Sequence, residues 1–219
     1  MPLPLIDLSH DIESGMITYP GLPAPRISDH LSREDSRERY RGQAEFHIAR
    51  IEMVANTGTY LDAPSHRFAE GPDIGQLPLE RVAFLRGLVV RLPYGRRALE
   101  PGHLAGLDLR GGALLVHTDW SQHWRTEGYF GSDHPFVSRD AAQALVDAGV
   151  ALVGIDSVNV DDMADPSRPA HTLLLGSGIP VVEHLTNLDA LGDRPFTFFA
   201  VPARVRGMGT FPVRAFAAL

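Results

Sequence analysis

The chain has 219 residues, of which 44% are hydrophobic and 21% charged, and this length suffices for one globular domain with a sizeable core. It contains no cysteine, which excludes disulfides, thiolate metal ligands and cysteine nucleophiles, and no lysine, which excludes Schiff-base chemistry. The net charge of −7 argues against a nucleic-acid partner.

The sequence gives no sign of a membrane segment or an export signal. No apolar run approaches the roughly 20 residues that a membrane-spanning helix needs. The first residues, MPLPLIDLSHDIE, lack a basic stretch followed by an apolar one, which a secretory signal would show. We therefore expect a cytoplasmic protein without a membrane partner, folded as a single domain over residues 1–219.

The first half of the chain contains a polar segment followed by an alternating one. Residues 23–44 are polar and turn-rich, and predict a long surface loop or lid with one short helix near its centre. Residues 47–62 alternate between small or apolar and polar side chains, which predicts one strand. Its small or apolar face would carry Ala49, Ile51, Met53, Ala55, Thr57, Thr59 and Leu61.

The second half predicts a mixed succession of strands and helices. Residues 138–149 read as a helix, because Ser138 is a natural N-cap and Gly149 lies where helices often end. Short apolar runs bounded by Gly and Pro predict strands at 85–93, 112–120, 150–156 and 179–185, and the end of the chain is rich in further strand signals. The composition of elements indicates an α/β domain with more strand than helix.

The stretch NTGTYLDAPSH at 56–66 collects side chains that could form a pocket. On an extended strand, residues two apart share a face, so Asn56, Tyr60 and Asp62 would point the same way. Pro64 should end the strand, so that His66 returns over the same pocket from a turn. Taken alone, this pattern also fits an edge strand with a polar face and a turn histidine.

A second cluster follows about 100 residues later. GIDSVNVDD at 154–162 runs from a buried strand into an acidic loop, and PAHTLLLGSGIPVVEHL follows at 169–185. His171 opens a short apolar turn or helix, and Glu183 interrupts an apolar strand. A buried carboxylate is costly unless it is paired or binds a metal, although Glu183 could also lie at an exposed strand end.

Together these motifs resemble the cyclase family of metal-dependent hydrolases, which includes bacterial kynurenine formamidase and isatin hydrolase. The family pattern HxGTHxDAPxH is followed downstream by PAH, LL and GxPxxE, in the order found here. The start, DLSHDIESGMITYPG, and the end, GTFPVRAFA, also resemble family segments. The resemblance covers essentially the whole chain and implies a mixed sheet of the swivelling β/β/α type, with Tyr19 lining the substrate pocket.

The resemblance also implies roles for the clustered residues. His66 would be the catalytic histidine, Asp62 and Glu183 would each contact two metals, and His171 would bind the second metal. Two ligand histidines of the family are replaced, one by Asn56 and the other by Tyr60. An amide is a modest ligand and a neutral phenol a poor one.

The altered ligands predict a site with one divalent metal or with none. In the first case Asp62, His171 and Glu183 would hold zinc or manganese, and Asn56 would contact the substrate.

Three functional hypotheses follow. The first is a hydrolase that cleaves a small amide, formamide, lactam or lactone with metal-activated water, His66 as general acid and base, and Tyr60 as a catalytic hydrogen-bond donor. The second is a metal-independent cyclase, dehydratase or isomerase that uses His66 and Tyr60. The third is a non-catalytic protein that binds a small molecule. Relatives of this family are oligomers, so the resemblance implies a homodimer or homotetramer.

Overall fold

The structure, a computed structural model, describes residues 4–219 as one α/β domain built on a mixed sheet. In this part of the chain a nine-stranded sheet has the order β1-β13-β11-β5-β7-β9-β10-β4-β12. Pairs of short strands, β2 with β3 and β6 with β8, lie outside it. The strands are β1 (Leu5–Asp7), β2 (Arg26–Leu31), β3 (Ile48–Glu52), β4 (Tyr60–Asp62), β5 (Leu85–Arg91), β6 (Ala98–Leu99), β7 (Ala113–His117), β8 (Phe136–Val137), β9 (Leu152–Ile155), β10 (Val181–Glu183), β11 (Phe196–Phe199), β12 (Thr210–Pro212) and β13 (Phe216–Ala218).

The helices are fewer and shorter. The α-helices are α1 (Arg33–Arg39), α2 (Arg139–Ala148) and α3 (Pro169–Gly176). Short 3₁₀ turns occur at Pro64–His66, Ile74–Gln76, Leu79–Arg81, Pro101–Leu104, Trp120–His123, Glu127–Phe130 and Leu188–Leu191. The predictions of a single α/β domain, of more strand than helix and of a mixed sheet are confirmed.

Both faces of the central sheet are buried, which explains the nearly continuous apolar strands in the sequence. Along β7, Leu114 and Val116 join a core that includes side chains of α2 and α3. Ala113 and Leu115 point to the other side, into a second core that is completed by strand and loop residues. The domain therefore has two apolar layers, with the helices α2 and α3 on one face of the sheet.

The predicted succession of strand, α-helix and strand is found as β7, α2 and β9. The Ser138 side chain accepts a hydrogen bond from the backbone N–H of Ala141 at the start of α2, and Gly149 ends the helix with φ +69°. The helix connects β7 to β9, which pair in parallel, and α3 then connects β9 to β10, again in parallel. Loops after these strands meet at one edge of the sheet, where ligands commonly bind in α/β folds.

The prediction of one strand over 47–62 is wrong. The segment forms two short strands, β3 and β4, which belong to different sheets. Between them Gly58 has φ +66°, and a Cβ there would lie 2.9 Å from Cγ1 of Ile12, so the chain turns instead of continuing as a strand. The predicted inward face fails as well, because Ile51 is 51% exposed. Alternation of side chains signals a strand but does not say which sheet receives it.

The prediction of an irregular loop over 23–44 is partly wrong. The short helix is present as α1, with the Ser32 side chain accepting a hydrogen bond from the backbone N–H of Asp35. The residues before it form β2, which pairs antiparallel with β3 and places Ile27 opposite Ile51. Both isoleucines are exposed, so this hairpin presents apolar side chains to solvent.

In the described residues, 4–219, the helices are all too short or too polar to cross a membrane.

Candidate active site

A cavity of about 340 Å³ opens beside β4 and β10, on the sheet face that α3 covers. This volume lies within the usual range for small-molecule sites. Strands β4 and β10 pair antiparallel, with Glu183 opposite Tyr60, so Tyr60, Asp62 and Glu183 share a face. The cavity is lined by Tyr19, Leu22, Asn56, Tyr60, His66, Arg67, Asn159, Arg168, His171 and Glu183.

His66 is held by a threonine hydroxyl from a distant part of the sequence. The Thr210 hydroxyl donates to Asp62 Oδ1 at 2.5 Å and lies 2.8 Å from His66 Nδ1. Because its only proton goes to Asp62, the hydroxyl oxygen accepts a hydrogen bond from Nδ1–H of His66. This contact assigns the proton to Nδ1 and leaves Nε2 of His66 as a free acceptor.

Close backbone approach permits this contact. Gly209 precedes Thr210, and a Cβ on Gly209 would lie 2.5 Å from the backbone nitrogen of His66. The Gly209 carbonyl also accepts a 2.7 Å hydrogen bond from the backbone N–H of Ala63. A glycine is therefore required where β12 passes the turn that carries His66.

His171 is oriented by a buried carboxylate, Asp161. Its Nδ1 lies 2.6 Å from Asp161 Oδ2, and Asp161 also accepts hydrogen bonds from the backbone N–H groups of Ala170 and His171. Burial alone would lower the pKa of His171, but hydrogen bonds to Asp161 and Asp62 outweigh it and raise the pKa to about 10. Such a carboxylate behind a histidine is the usual support for a metal-ligating imidazole.

The second nitrogen of His171 points toward two carboxylates. Nε2 lies 3.5 Å from Asp62 Oδ2 and 3.7 Å from Glu183 Oε1. Asp62 is fully buried, and its Oδ2 has no hydrogen-bond partner within the described part of the chain. Buried carboxylate oxygens without a partner are costly, and a cation would relieve that cost.

The donor set fits a divalent metal. Asp62, His66 and His171 each offer one ligand atom, and the three atoms lie within 4.8 Å of one another. A carboxylate and an imidazole suit zinc or a similar first-row metal, and His66 would add a second imidazole only if its Nε2 did not serve as a base. Glu183 is not part of this set of three, although its Oε1 lies 3.7 Å from His171 Nε2.

Both carboxylate oxygens of Glu183 accept hydrogen bonds from neighbouring residues. Its Oε2 accepts a 2.6 Å hydrogen bond from the Tyr60 hydroxyl, and its Oε1 accepts one from the backbone N–H of Val160. Burial and the neighbouring Glu183 raise the pKa of Tyr60 well above its usual value, whereas a hydrogen bond from Asn56 acts in the opposite direction. Tyr60 is therefore a neutral phenol that donates to Glu183, and Asn56 supports it.

The proton on this carboxylate is also affected by burial. Burial raises the pKa of Glu183 to about 7, while the nearby His171 lowers it and Asp62 raises it.

The structure brings all seven predicted site residues to one place. Asn56, Tyr60, His66, His171, Glu183 and Tyr19 line the cavity, and Asp62 lies beneath it in contact with Thr210 and His171. Their roles stay predictions.

The sequence did not single out several other residues of the site. Thr210 lies 144 positions after His66, and Asp161 lies in an acidic loop, so the spacing of neither residue indicated a role in the site. The other lining residues belong to no motif of their own; they are Arg67, Arg168 and Asn159. The only available signals were the GTFPVRA and GIDSVNVDD segments as wholes.

Comparison with known proteins identifies the family of this chain. Residues 6–162 match the model of the Cyclase family. The chain is 28% identical over 216 residues to a kynurenine formamidase from Bacillus cereus, covering 96% of this chain and 95% of the relative. A kynurenine formamidase from Salinibacter ruber is 27% identical over 212 residues, with the same coverage of both chains.

Solved structures show the same fold. An isatin hydrolase A from Labrenzia aggregata superposes with a TM-score of 0.83 at 22% identity, over 99% of this chain and 94% of that one. A predicted metal-dependent hydrolase from Bacillus stearothermophilus has a TM-score of 0.78 at 25% identity, over 99% and 98% of the two chains. The chain belongs to the Cyclase family and is a hydrolase of that family.

Proposed function

We propose that this hydrolase cleaves the C–N bond of a small amide or formamide, with lactams and lactones as related substrates. The kynurenine formamidase relatives support the amide class, since the formamide bond is the one that their name specifies. The observation that carries the proposal is the pairing of His66 with Thr210 and Asp62 at the edge of the cavity. With a proton on Nδ1, the nitrogen of His66 that is left to accept a proton is Nε2, and a general base requires such an acceptor.

His66 would transfer the proton in both stages of the reaction. Its Nε2 accepts a proton from the attacking water, and the resulting imidazolium donates it to the nitrogen of the leaving amine. The protonated ring keeps Nδ1–H on the Thr210 oxygen, and the Asp62 carboxylate stabilises the positive charge through the same hydroxyl. His66 is 36% exposed at its side chain, so water and product protons can reach it.

The buried donors would hold the cofactor. Asp62 and His171, with Glu183 beside them, would bind one divalent cation, zinc or manganese. When bound, this cation supplies Lewis-acid polarisation of the substrate carbonyl and makes water more acidic. Asp161 keeps His171 Nε2 directed toward the site, and Tyr60 fixes Glu183 on its far oxygen.

A second candidate function is favoured by one specific contact. Tyr60 and Glu183 form a short hydrogen bond in which a phenol and a carboxyl share a buried environment. With His66 across the cavity, such a pair could serve as acid and base in a metal-independent cyclisation, dehydration or isomerisation. A protein that only binds a small molecule would keep the cavity but show no turnover.

Metal content and turnover separate these functions. Protein purified without added metal is analysed for metals, and hydrolysis of N-formyl, lactam and lactone substrates is measured before and after chelation. The proposal expects about one metal per chain, loss of hydrolysis on chelation and recovery on adding zinc or manganese. Full activity in chelated protein would favour the acid–base alternative, and metal binding without turnover of any substrate would favour a binding protein.

The location, partners and oligomeric state of the enzyme are part of the proposal. We infer a cytoplasmic protein that acts on a small molecule, without a nucleic-acid partner, and that assembles as a homodimer or homotetramer. The exposed isoleucines of the β2–β3 hairpin support an oligomer, because Ile27 and Ile51 are 45% and 51% exposed and lie side by side. Sedimentation at micromolar concentration tests this, and a strictly monomeric profile would contradict it.

A further inference from the structure

Two arginine side chains line the cavity, and neither has an acidic partner in residues 4–219. Arg67 and Arg168 both border the cavity, and no carboxylate oxygen of the described residues lies within 4 Å of either guanidinium. By contrast, the negatively charged groups of the site, Asp62, Asp161 and Glu183, are all buried. The cavity therefore has acidic side chains in its interior and unpaired positive charge at its border.

Arg168 is the better placed of the two arginines. Arg67 is exposed, donates to the Thr172 hydroxyl at 3.3 Å and lies over the Phe68 ring. Arg168 is partly buried, and its Nη1 donates to the Asp162 carbonyl at 3.3 Å. The Asp162 carbonyl and the nearby Tyr19 hydroxyl together still leave most of the five guanidinium donors of Arg168 available.

The backbone holds Arg168 in an unusual conformation at the start of the helix that carries His171. Arg168 has φ +47° and ψ +61°, the left-handed region that residues with a Cβ seldom adopt. It immediately precedes Pro169, the first residue of α3, and His171 follows two positions later in the same helix. Unfavourable conformations of this kind concentrate at ligand sites, and here one fixes a guanidinium relative to a predicted metal ligand.

Tyr19 lines the same cavity as Arg168 and Glu183. Its hydroxyl donates to Met163 Sδ at 2.9 Å. Burial raises the pKa of Tyr19, while the Arg168 charge and a hydrogen bond from Arg168 lower it, and Glu183 raises it. The Tyr19 hydroxyl is thus close to both the guanidinium and the acidic interior.

We propose that Arg168, positioned by the Tyr19 hydroxyl, binds a carboxylate group of the substrate, so that the enzyme acts on anionic amides or formamides. This inference rests on the proposed function and adds the substrate class. A guanidinium matches a carboxylate through two parallel hydrogen bonds, which fixes orientation as well as position. Binding the carboxylate at the cavity border would leave the amide end of the substrate facing His66.

A pair of matched substrates tests the proposal by turnover. Formanilide with a ring carboxylate is compared with the same compound bearing a neutral carboxamide. Arg168→Gln should lower the preference in kcat/KM for the acid roughly 10- to 100-fold, mostly through KM, since a charge-assisted contact is lost. Arg168→Lys should recover part of this preference, because the charge returns without the planar fork.

Two further variants control for folding and for surface charge. Arg168→Gly suits the left-handed backbone, so this variant should fold at least as stably as the natural protein while still losing the preference. Arg110→Gln removes an exposed arginine elsewhere and should leave the preference unchanged. An unchanged preference in both Arg168→Gln and Arg168→Gly would overturn the proposal.

A binding measurement separates this inference from the proposed function. Benzoate and benzamide are titrated into the natural protein and into Arg168→Gln, with calorimetry as the readout. The inference expects benzoate to bind more tightly than benzamide and to lose that advantage in the variant, even if no amide is hydrolysed. Equal binding of both compounds to the natural protein would contradict the inference, whether or not the enzyme cleaves amides.

Discussion

The two sides of the cavity differ in how their polar groups are satisfied. On the side of Asp62 and His171, supporting residues hold each group but leave an atom free: Asp62 Oδ2 has no partner in the described chain, and His171 Nε2 faces carboxylates. On the side of Asn56, Tyr60 and Glu183, the groups satisfy one another through hydrogen bonds. The first side therefore has free ligand atoms for a cation. On the second side, the Tyr60 hydroxyl and the Glu183 carboxylate are already hydrogen-bonded to each other.

On the proposal of a single metal, this difference would let Glu183 stay buried without a second metal beside it. Removing two imidazoles would leave Glu183 as a buried carboxylate with lost partners, which is destabilising. Tyr60 donates to that carboxylate at 2.6 Å, and its neutral phenol adds no charge. The Tyr60 hydroxyl thus supplies Glu183 with a hydrogen bond in the place where the family resemblance implies a metal ligand.

The largest expected effect comes from removing the metal side. His171→Ala should abolish metal binding, because two carboxylates alone are weak ligands for a borderline-soft ion. Metal analysis and calorimetric titration with zinc measure this loss. His30→Ala, which removes an exposed histidine, is the control and should bind as the natural protein does. Retention of one tightly bound metal in His171→Ala would show that the site lies elsewhere.

Removing the general base should remove most catalysis, while the metal stays bound to Asp62, His171 and Glu183. His66→Ala should lower kcat by roughly 10²- to 10⁴-fold, the usual contribution of a positioned acid–base group. Steady-state hydrolysis of the preferred formamide measures the change. If kcat falls less than about tenfold, His66 is not the general base, and the proposal that its Nε2 accepts the proton of water is wrong.

Introducing histidines at positions 56 and 60 tests whether the side of Asn56, Tyr60 and Glu183 can bind a second metal. Asn56→His combined with Tyr60→His should raise the stoichiometry from about one metal per chain toward two. The same change should lower the native activity by roughly 10²- to 10³-fold if Tyr60 acts as a catalytic donor. Little loss would instead agree with a Tyr60 whose hydroxyl serves Glu183. A natural protein that already binds two metals tightly would contradict the comparison.

Thr210 should have a smaller but measurable effect. Thr210→Val keeps the shape but removes the hydroxyl that links Asp62 to His66 Nδ1. We expect a roughly 10- to 100-fold fall in activity, the usual range for a supporting residue behind a metal site. Thr197→Val on β11 is a matched control that should behave as the natural protein. A Thr210→Val enzyme with full activity would mean that His66 needs no orientation.

The remaining prediction concerns the pH dependence of metal binding. A metal must displace the proton of His171, whose pKa of about 10 keeps it protonated at neutral pH. Metal affinity should therefore increase with pH, by about tenfold per unit below pH 10, and one proton per chain should be released on binding. Calorimetry in buffers of different ionisation enthalpy measures that release. An affinity independent of pH between 6 and 9 would indicate a ligand set without His171.

The sequence by itself determined the elements whose signals are local. Helix α2 could be predicted with its cap residues, because Ser138 and Gly149 act through their immediate neighbours. The apolar strands β5, β7 and β9 followed from their composition, since both of their faces are buried. Asp62, His66, His171 and Glu183 followed from motifs and from the family resemblance, and the structure gathers them at one cavity.

Only the tertiary structure decided what these residues contact. The alternation over 47–62 did not reveal that β3 pairs with β2 while β4 enters the main sheet, because pairing depends on partners distant in sequence. The hydroxyl that contacts His66 belongs to Thr210 of β12. Arg168, which lines the cavity, has a left-handed backbone conformation immediately before α3. A hydrogen bond between residues 144 positions apart leaves no periodic trace, since it arises from the packing of separate strands.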